Sequence, residues 1–267
     1  MIKKSISLLA VILIAALAVP EMAVYADEQK MGRLIQATTL EEDYQALVHL
    51  NLTDTPVLAE ENIDKAYANV LCSAVRIQCG GHYGSGSIYV MTEEEIIVVS
   101  NKHVLQYFND ESYVTFWNGR SESGRIVGIS EEADVGFISI STSDFTYEEL
   151  LQLKSVRKQQ DAFGNVKENT CFFMIDAASD SFAPALYTGS IIDKNRFLSE
   201  YGMEMIYGNA PAVPGMSGTG LFDCYGNYIG ILSGGTEHNE IAGVPLPVIE
   251  EEYHKSNTPQ QATKHQN

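Results

Sequence analysis

The sequence predicts an all-β protein made of two packed six-stranded antiparallel β-barrels, with a site in the cleft between them. Three observations carry this. Short apolar or alternating segments bounded by turn residues recur from about residue 73 onward. They fall into two runs of about six, separated by a polar stretch, which is the pattern of two small barrels. Each run holds, beside one of its apolar strands, a side chain suited to acid–base or nucleophilic chemistry.

The elements follow in order. Lys3 and Lys4 precede an apolar core from Ile6 to Val19, and Val24-Tyr25-Ala26 offers small residues for cleavage. This run is shorter than the roughly 20 residues of a membrane span, so residues 1–26 read as a signal peptide rather than a retained anchor. Residues 27–71 form an N-terminal extension, either a propeptide or a collar. Leu40, Tyr44, Leu47 and Val48 place one helix near 40–49, and Ile63, Ala66, Tyr67, Val70 and Leu71 place another after Pro56.

The first barrel is expected over about 72–141. Its strands are Ala74 to Cys79, Ser87 to Val90, Ile96 to Ser100, Tyr113 to Trp117, Gly124 to Ile129 and Val135 to Ile140, with Gly80, Gly81, Gly84 and Gly86 in a loop. Residues 142–169 lose the alternation and read as a linker, with a short helix over Glu148 to Val156. The second barrel is expected over about 170–250, with strands at Thr170 to Ile175, Ala185 to Ile192, Met203 to Tyr207, Gly218 to Phe222, Tyr228 to Leu232 and Ile241 to Val244. Residues 251–267 read as a polar, disordered tail.

Charge excludes some functions. The 267-residue chain carries 17 Lys and Arg against 35 Asp and Glu, a net of −18. A nucleic-acid binder needs a basic face, and an anionic membrane surface would repel this chain. Four cysteines in an exported chain suggest disulfides, and four allow three connectivities. No C-x-x-C spacing or histidine cluster points to a metal.

Pro214-Gly215-Met216-Ser217-Gly218 sets a serine between glycines ahead of an apolar run. Such a turn exposes backbone N–H groups beside a hydroxyl, as stabilising a developing oxyanion requires. Val98-Val99-Ser100-Asn101-Lys102-His103-Val104 ends an apolar strand just before a histidine, which can exchange a proton near neutral pH. Asp134 opens the run Val135-Gly136-Phe137-Ile138, and a carboxylate sheltered there needs a donor such as a histidine N–H. The candidate set, in chain order, is His103, Asp134 and Ser217.

That order and these patterns resemble the trypsin/chymotrypsin-fold serine proteases, over roughly residues 72–250. Ser100-Asn101-Lys102-His103-Val104 is especially similar to the bacterial branch that includes glutamyl endopeptidases. The resemblance implies that Ser217 attacks a peptide carbonyl, His103 relays the proton and Asp134 orients His103. It implies an oxyanion hole from the N–H groups of Gly215 and Ser217. It also implies substrate binding along Ser233, Gly234 and Gly235, with Gly235 and Gly243 lining the primary pocket. It further implies a disulfide between Cys171 and Cys224. Cys72 and Cys79 would lie about 23 Å apart on one straight strand, so their pairing stays open.

Met216 stands where the digestive enzymes carry an aspartate, so activation by a freed N-terminus is not expected. Thr219 is a second, milder departure. Pro211 and Leu232 stand at positions that read charge in charge-selective relatives, so a small or apolar side chain is expected in the pocket. His238, near in sequence, keeps an acidic preference in view. The implied protein is an exported serine endopeptidase acting on polypeptide, without metal or organic cofactor, monomeric and not membrane-inserted once the signal is cleaved. The competing readings are a non-catalytic exported binding module on the same fold, or an esterase.

Overall fold

The structure is a computed structural model that describes residues 39–178 and 184–257. The expected signal peptide, its cleavage site and the last ten residues lie outside the described residues. The seven strands of the first half are β1 (Ala74–Cys79), β2 (His82–Met91), β3 (Glu95–Ser100), β4 (Tyr113–Phe116), β5 (Ser121–Glu122), β6 (Arg125–Ile129) and β7 (Gly136–Ser141). They form an antiparallel sheet in the order β5-β4-β1-β2-β3-β7-β6. β5 pairs with β4 at one edge, and β6 with β7 at the other, with only Ser123 and Gly124 between them. One bent segment thus joins both edges, so the sheet curls into a half-barrel. The expected closed six-strand ladder is interrupted at that bend. Gly84 and Gly86 lie within β2 rather than in a loop, and the hairpin turns at Gly80–Gly81.

The second half matches expectation closely. β8 (Cys171–Asp176), β9 (Ala185–Leu198), β10 (Met203–Asn209), β11 (Gly220–Asp223), β12 (Tyr228–Gly235) and β13 (Glu240–Pro245) close into a barrel in the order β10-β13-β12-β11-β8-β9. Its core holds Phe172, Phe173, Met205, Ile206, Leu221, Phe222, Ile231 and Val244. The first half packs Val75, Ile77, Ile88, Ile96, Val98, Val114 and Ile138.

The extension is a belt fastened to both halves. Helix α1 (Leu40–His49) starts at a capping box between Thr39 and Glu42, which satisfies the first free N–H groups. It buries Tyr44 and Leu47 on the first half, and the Tyr44 hydroxyl donates to Thr92 O at 2.6 Å. The chain then bonds the linker through Thr55 N–H to Ser155 O. Helix α2 (Ile63–Val70) packs Ala66 and Val70 into the second core.

After β3, α3 (Lys102–Leu105) is a single turn. In the linker, the expected helix shrinks to α4 (Tyr147–Leu150), with α5 (Gln160–Asn165) beyond it. Leu153 and Val156 are buried but extended. Over residues 251–257 the expected disordered tail is corrected, since they continue α6 (Leu246–Asn257). Leu246, Ile249 and Tyr253 recur at helical spacing. Tyr253 rests on Tyr89 and Phe137, with ring centres 5.0 and 5.3 Å away, so α6 clamps the second half to the first.

The expected Cys171–Cys224 disulfide is also corrected. All four cysteines are free thiols. Cys171 and Cys224 face each other one register step beyond Asp223–Phe172, as two separate thiols. Cys72 donates to Asn69 O, whereas Cys79 ends β1 near Ser112, so these two are held apart by the length of the strand.

Candidate active site

The site assembles where the two halves meet. β3 is wholly apolar from Ile96 to Val99 and stops at Ser100 and Asn101, both fully buried. α3 then turns His103 outward. Asp134 sits in the tight loop before β7, closed by Ser130 N–H donating to Val135 O and by Ser130 Oγ accepting from Ala133 N–H. Two bonds join the pair: His103 N–H donates to Asp134 Oδ1 at 3.0 Å, and His103 Nδ1 meets Oδ2 at 2.8 Å. The imidazole is 45% exposed and the carboxylate only 16%, so the acid is sheltered while the ring remains accessible. Burial alone would raise the Asp134 pKa. Hydrogen bonds from the His103 ring and main chain and from the Ser233 hydroxyl outweigh it and hold the carboxyl below its usual range. The ionised acid fixes Nδ1–H on the histidine and leaves Nε2 as a free acceptor.

Ser217 comes from the second half. Its turn is docked onto the first half from both sides. Ser85 N–H donates to Ser217 O at 2.8 Å, and the Ser85 hydroxyl donates to Gly215 O at 2.9 Å. Gly218 has φ of +87°, and a Cβ there would lie 2.2 Å from Ser85 O and 2.3 Å from Ser100 Oγ. Only glycine fits both constraints. The residue after Ser217 therefore touches the segment that leads into His103. No hydrogen bond joins Ser217 Oγ to His103 among the described residues. Such bonds are often long before substrate arrives. The N–H groups of Gly215 and Ser217 have no hydrogen-bond partner among the described residues.

The two departures from the expected pattern are structural. Met216 is fully buried, and its sulfur accepts from Val213 N–H. The buried Thr219 hydroxyl donates to Ile175 O at 2.6 Å, tying the turn to β8.

Ser233, Gly234 and Gly235 end β12. Among the described residues, Gly234 and Gly235 pair with β13 alone, across from Ala242 and Ile241, and no strand pairs with their opposite edge. A Cβ on Gly243 would lie 2.6 Å from Leu221 Cδ1 and 2.7 Å from Ile231 O, so the backbone there is closely packed and has no room for a side chain. A Cβ on Gly235 would lie 2.8 Å from Ala212 Cβ, so these two segments stand close. Three further residues escaped sequence reading: Ser85, Tyr201, whose hydroxyl lies over Gly234, and Asn101. Asn101 had one signal, a polar residue closing an apolar strand two positions before the histidine.

A family model described as a trypsin-like peptidase domain matches residues 84–231, more than half of the chain. No curated protein matches the sequence. Among solved structures, the HtrA-type protease AlgW with a tripeptide superposes with a TM-score of 0.61 at 19% identity, covering 73% of this chain and 63% of that one. Deg5 superposes with a TM-score of 0.57 at 20% identity, covering 70% of this chain and 90% of that one. The chain thus spans less than two thirds of the AlgW chain, and at these identities the likeness is one of fold.

Proposed function

The chain belongs to the trypsin-like peptidase family, and on that premise we propose that it is an exported serine endopeptidase whose catalytic set is Ser217, His103 and Asp134. The observation that carries this reading is the doubly bonded His103–Asp134 couple, with the Ser217 turn docked onto Ser85 of β2 and close against Ser100 at the end of β3.

In this reading Ser217 Oγ attacks the scissile carbonyl while His103 Nε2 takes its proton. The tetrahedral oxygen forms beside the free N–H groups of Gly215 and Ser217, each supplying roughly 3 kcal/mol. Asp134, kept ionised by its donors, stabilises the imidazolium. His103 then gives the proton to the leaving amine, and a water repeats the sequence to free the acyl group. The substrate backbone adds to the open edge of Ser233–Gly235. The approach of Ala212 to Gly235 favours a small side chain before the scissile bond. A non-catalytic binder loses its main support, because Met216 and Thr219 have structural tasks within the turn.

A fluorophosphonate probe tests the reading. Labelling is expected on Ser217 and lost in Ser217→Ala and His103→Ala. Absence of labelling in the wild-type protein, or labelling that survives Ser217→Ala, overturns it.

A further inference from the structure

Asn101 is fully buried at the seam of the two halves, and its side chain reaches both. Nδ2 donates to Asp134 O at 2.9 Å on the first half and to Ser233 Oγ at 3.2 Å on the second, 132 residues away in sequence. An amide nitrogen only donates, and it has two protons; each has a partner here. The consequence falls on Ser233. A hydroxyl that accepts from Asn101 keeps its own proton for another acceptor, and the Asp134 carboxylate is the charged acceptor within its reach.

We propose that Asn101 is a positioning residue that sets the proton direction in the catalytic network, running from its amide to the Ser233 hydroxyl and on to the Asp134 carboxylate. The inference rests on the triad reading above. Asn101 touches no reacting atom and acts through Ser233. With Ser233 locked as a donor, the carboxylate's charge is shared among His103 N–H, His103 Nδ1–H and Ser233 O–H. Without Asn101, Ser233 is free to turn its proton elsewhere. Asp134 then becomes the stronger base toward His103, holds the imidazolium proton more tightly, and delays the neutral form that activates Ser217 to higher pH. The other titratable groups near this network are Lys102, whose amine points away to Glu131 O, and the Tyr201 hydroxyl from the β9–β10 hairpin, whose pKa is raised by burial first and then by the charges of Glu200 and Asp134.

The test is the pH dependence of fluorophosphonate labelling of the full chain. Wild type, Asn101→Ala, Ser233→Ala, the double variant and Asn101→Asp are compared, each with its thermal midpoint. The acid limb is expected to move to higher pH in Asn101→Ala and in Ser233→Ala, so that labelling near pH 6 falls at least three-fold more than near pH 8. The double variant should move no further than the larger single shift. Asn101→Asp keeps the shape but replaces the donor with an acceptor, and should shift the limb furthest. A purely structural role would lower the plateau and the midpoint without moving the limb, and that result overturns the proposal. So do strictly additive shifts. Labelling that persists in Ser217→Ala breaks the triad reading itself, whereas a fixed limb with Ser217-dependent labelling breaks only the role of Asn101.

Discussion

Gly218→Ala is the sharpest test of how the nucleophile turn is held. The glycine has φ of +87°, where an added Cβ costs roughly 1–2 kcal/mol. That Cβ would also meet Ser85 O at 2.2 Å and Ser100 Oγ at 2.3 Å, both on the first half. The first contact is backbone, and the second belongs to a hydroxyl already committed to Ser85 O at 2.7 Å, so neither yields freely. Overpacking of this kind costs about 1–3 kcal/mol, for a total of roughly 2–5 kcal/mol. In a domain of this size that lowers the thermal midpoint by about 4–20 °C. The turn has a second way to respond: it can lift away, breaking the Ser85 N–H to Ser217 O bond and carrying the serine from His103. The two assays are differential scanning calorimetry and the rate of fluorophosphonate labelling. Loss in either is expected, and their split tells whether the fold or the turn gives way. Unchanged stability together with wild-type labelling would refute the docking of this turn and the argument built on it.

Other perturbations probe different links. Asp134→Asn should leave the fold intact and lower peptide turnover by roughly 10⁴, because the amide favours the wrong histidine tautomer; a loss under ten-fold in steady-state kinetics counts against the couple. The folded-state pKa of Asp134 is depressed, so its contribution to stability is present above the unfolded value of about 3.9 and fades as pH falls through the folded one. Asp134→Asn should therefore flatten the acid side of the stability profile, measured by urea melts between about pH 2 and 6. Ala212→Gly should widen the pocket and admit larger side chains before the scissile bond, with a change of roughly 10–200-fold per methylene in a peptide-library profile; an unaltered profile places the pocket elsewhere. Tyr253→Ala removes the ring that rests on Tyr89 and Phe137 and should cost about 2–4 kcal/mol, read as a lower denaturation midpoint; a neutral result would mean that α6 is not a clamp.

What the sequence disclosed, and what it hid, follows the range of the interactions. The six strands of the closed barrel were legible because alternation is a local signal: Phe172 and Leu221, both fully buried, mark one face of their strands whatever lies across the sheet. His103 and Asp134 were legible for the same reason, each marked by the apolar strand beside it. The α6 helix was hidden because Glu250, Glu251 and Glu252 mask three apolar contacts that matter only once Tyr89 and Phe137 are in place. The thiol pair shows the reverse error, since register brings Cys171 and Cys224 together but adjacency alone does not oxidise them. Asn101 was the hardest to see. Its value comes from a hydroxyl 132 residues away, and nothing in its own neighbourhood tells a buried amide with two partners from a strand end in solvent. The residues that make the chemistry are written locally, and those that aim it are written across the seam. A search for further positioning residues should therefore begin with buried polar side chains whose partners lie on the opposite barrel. Ser85 is the next of these, since it holds Gly215 and Ser217 from the first half through two bonds. Removing its hydroxyl in Ser85→Ala should loosen Gly215 while sparing the His103–Asp134 couple. Labelling should slow with no shift of its acid limb, the opposite signature to that expected for Asn101.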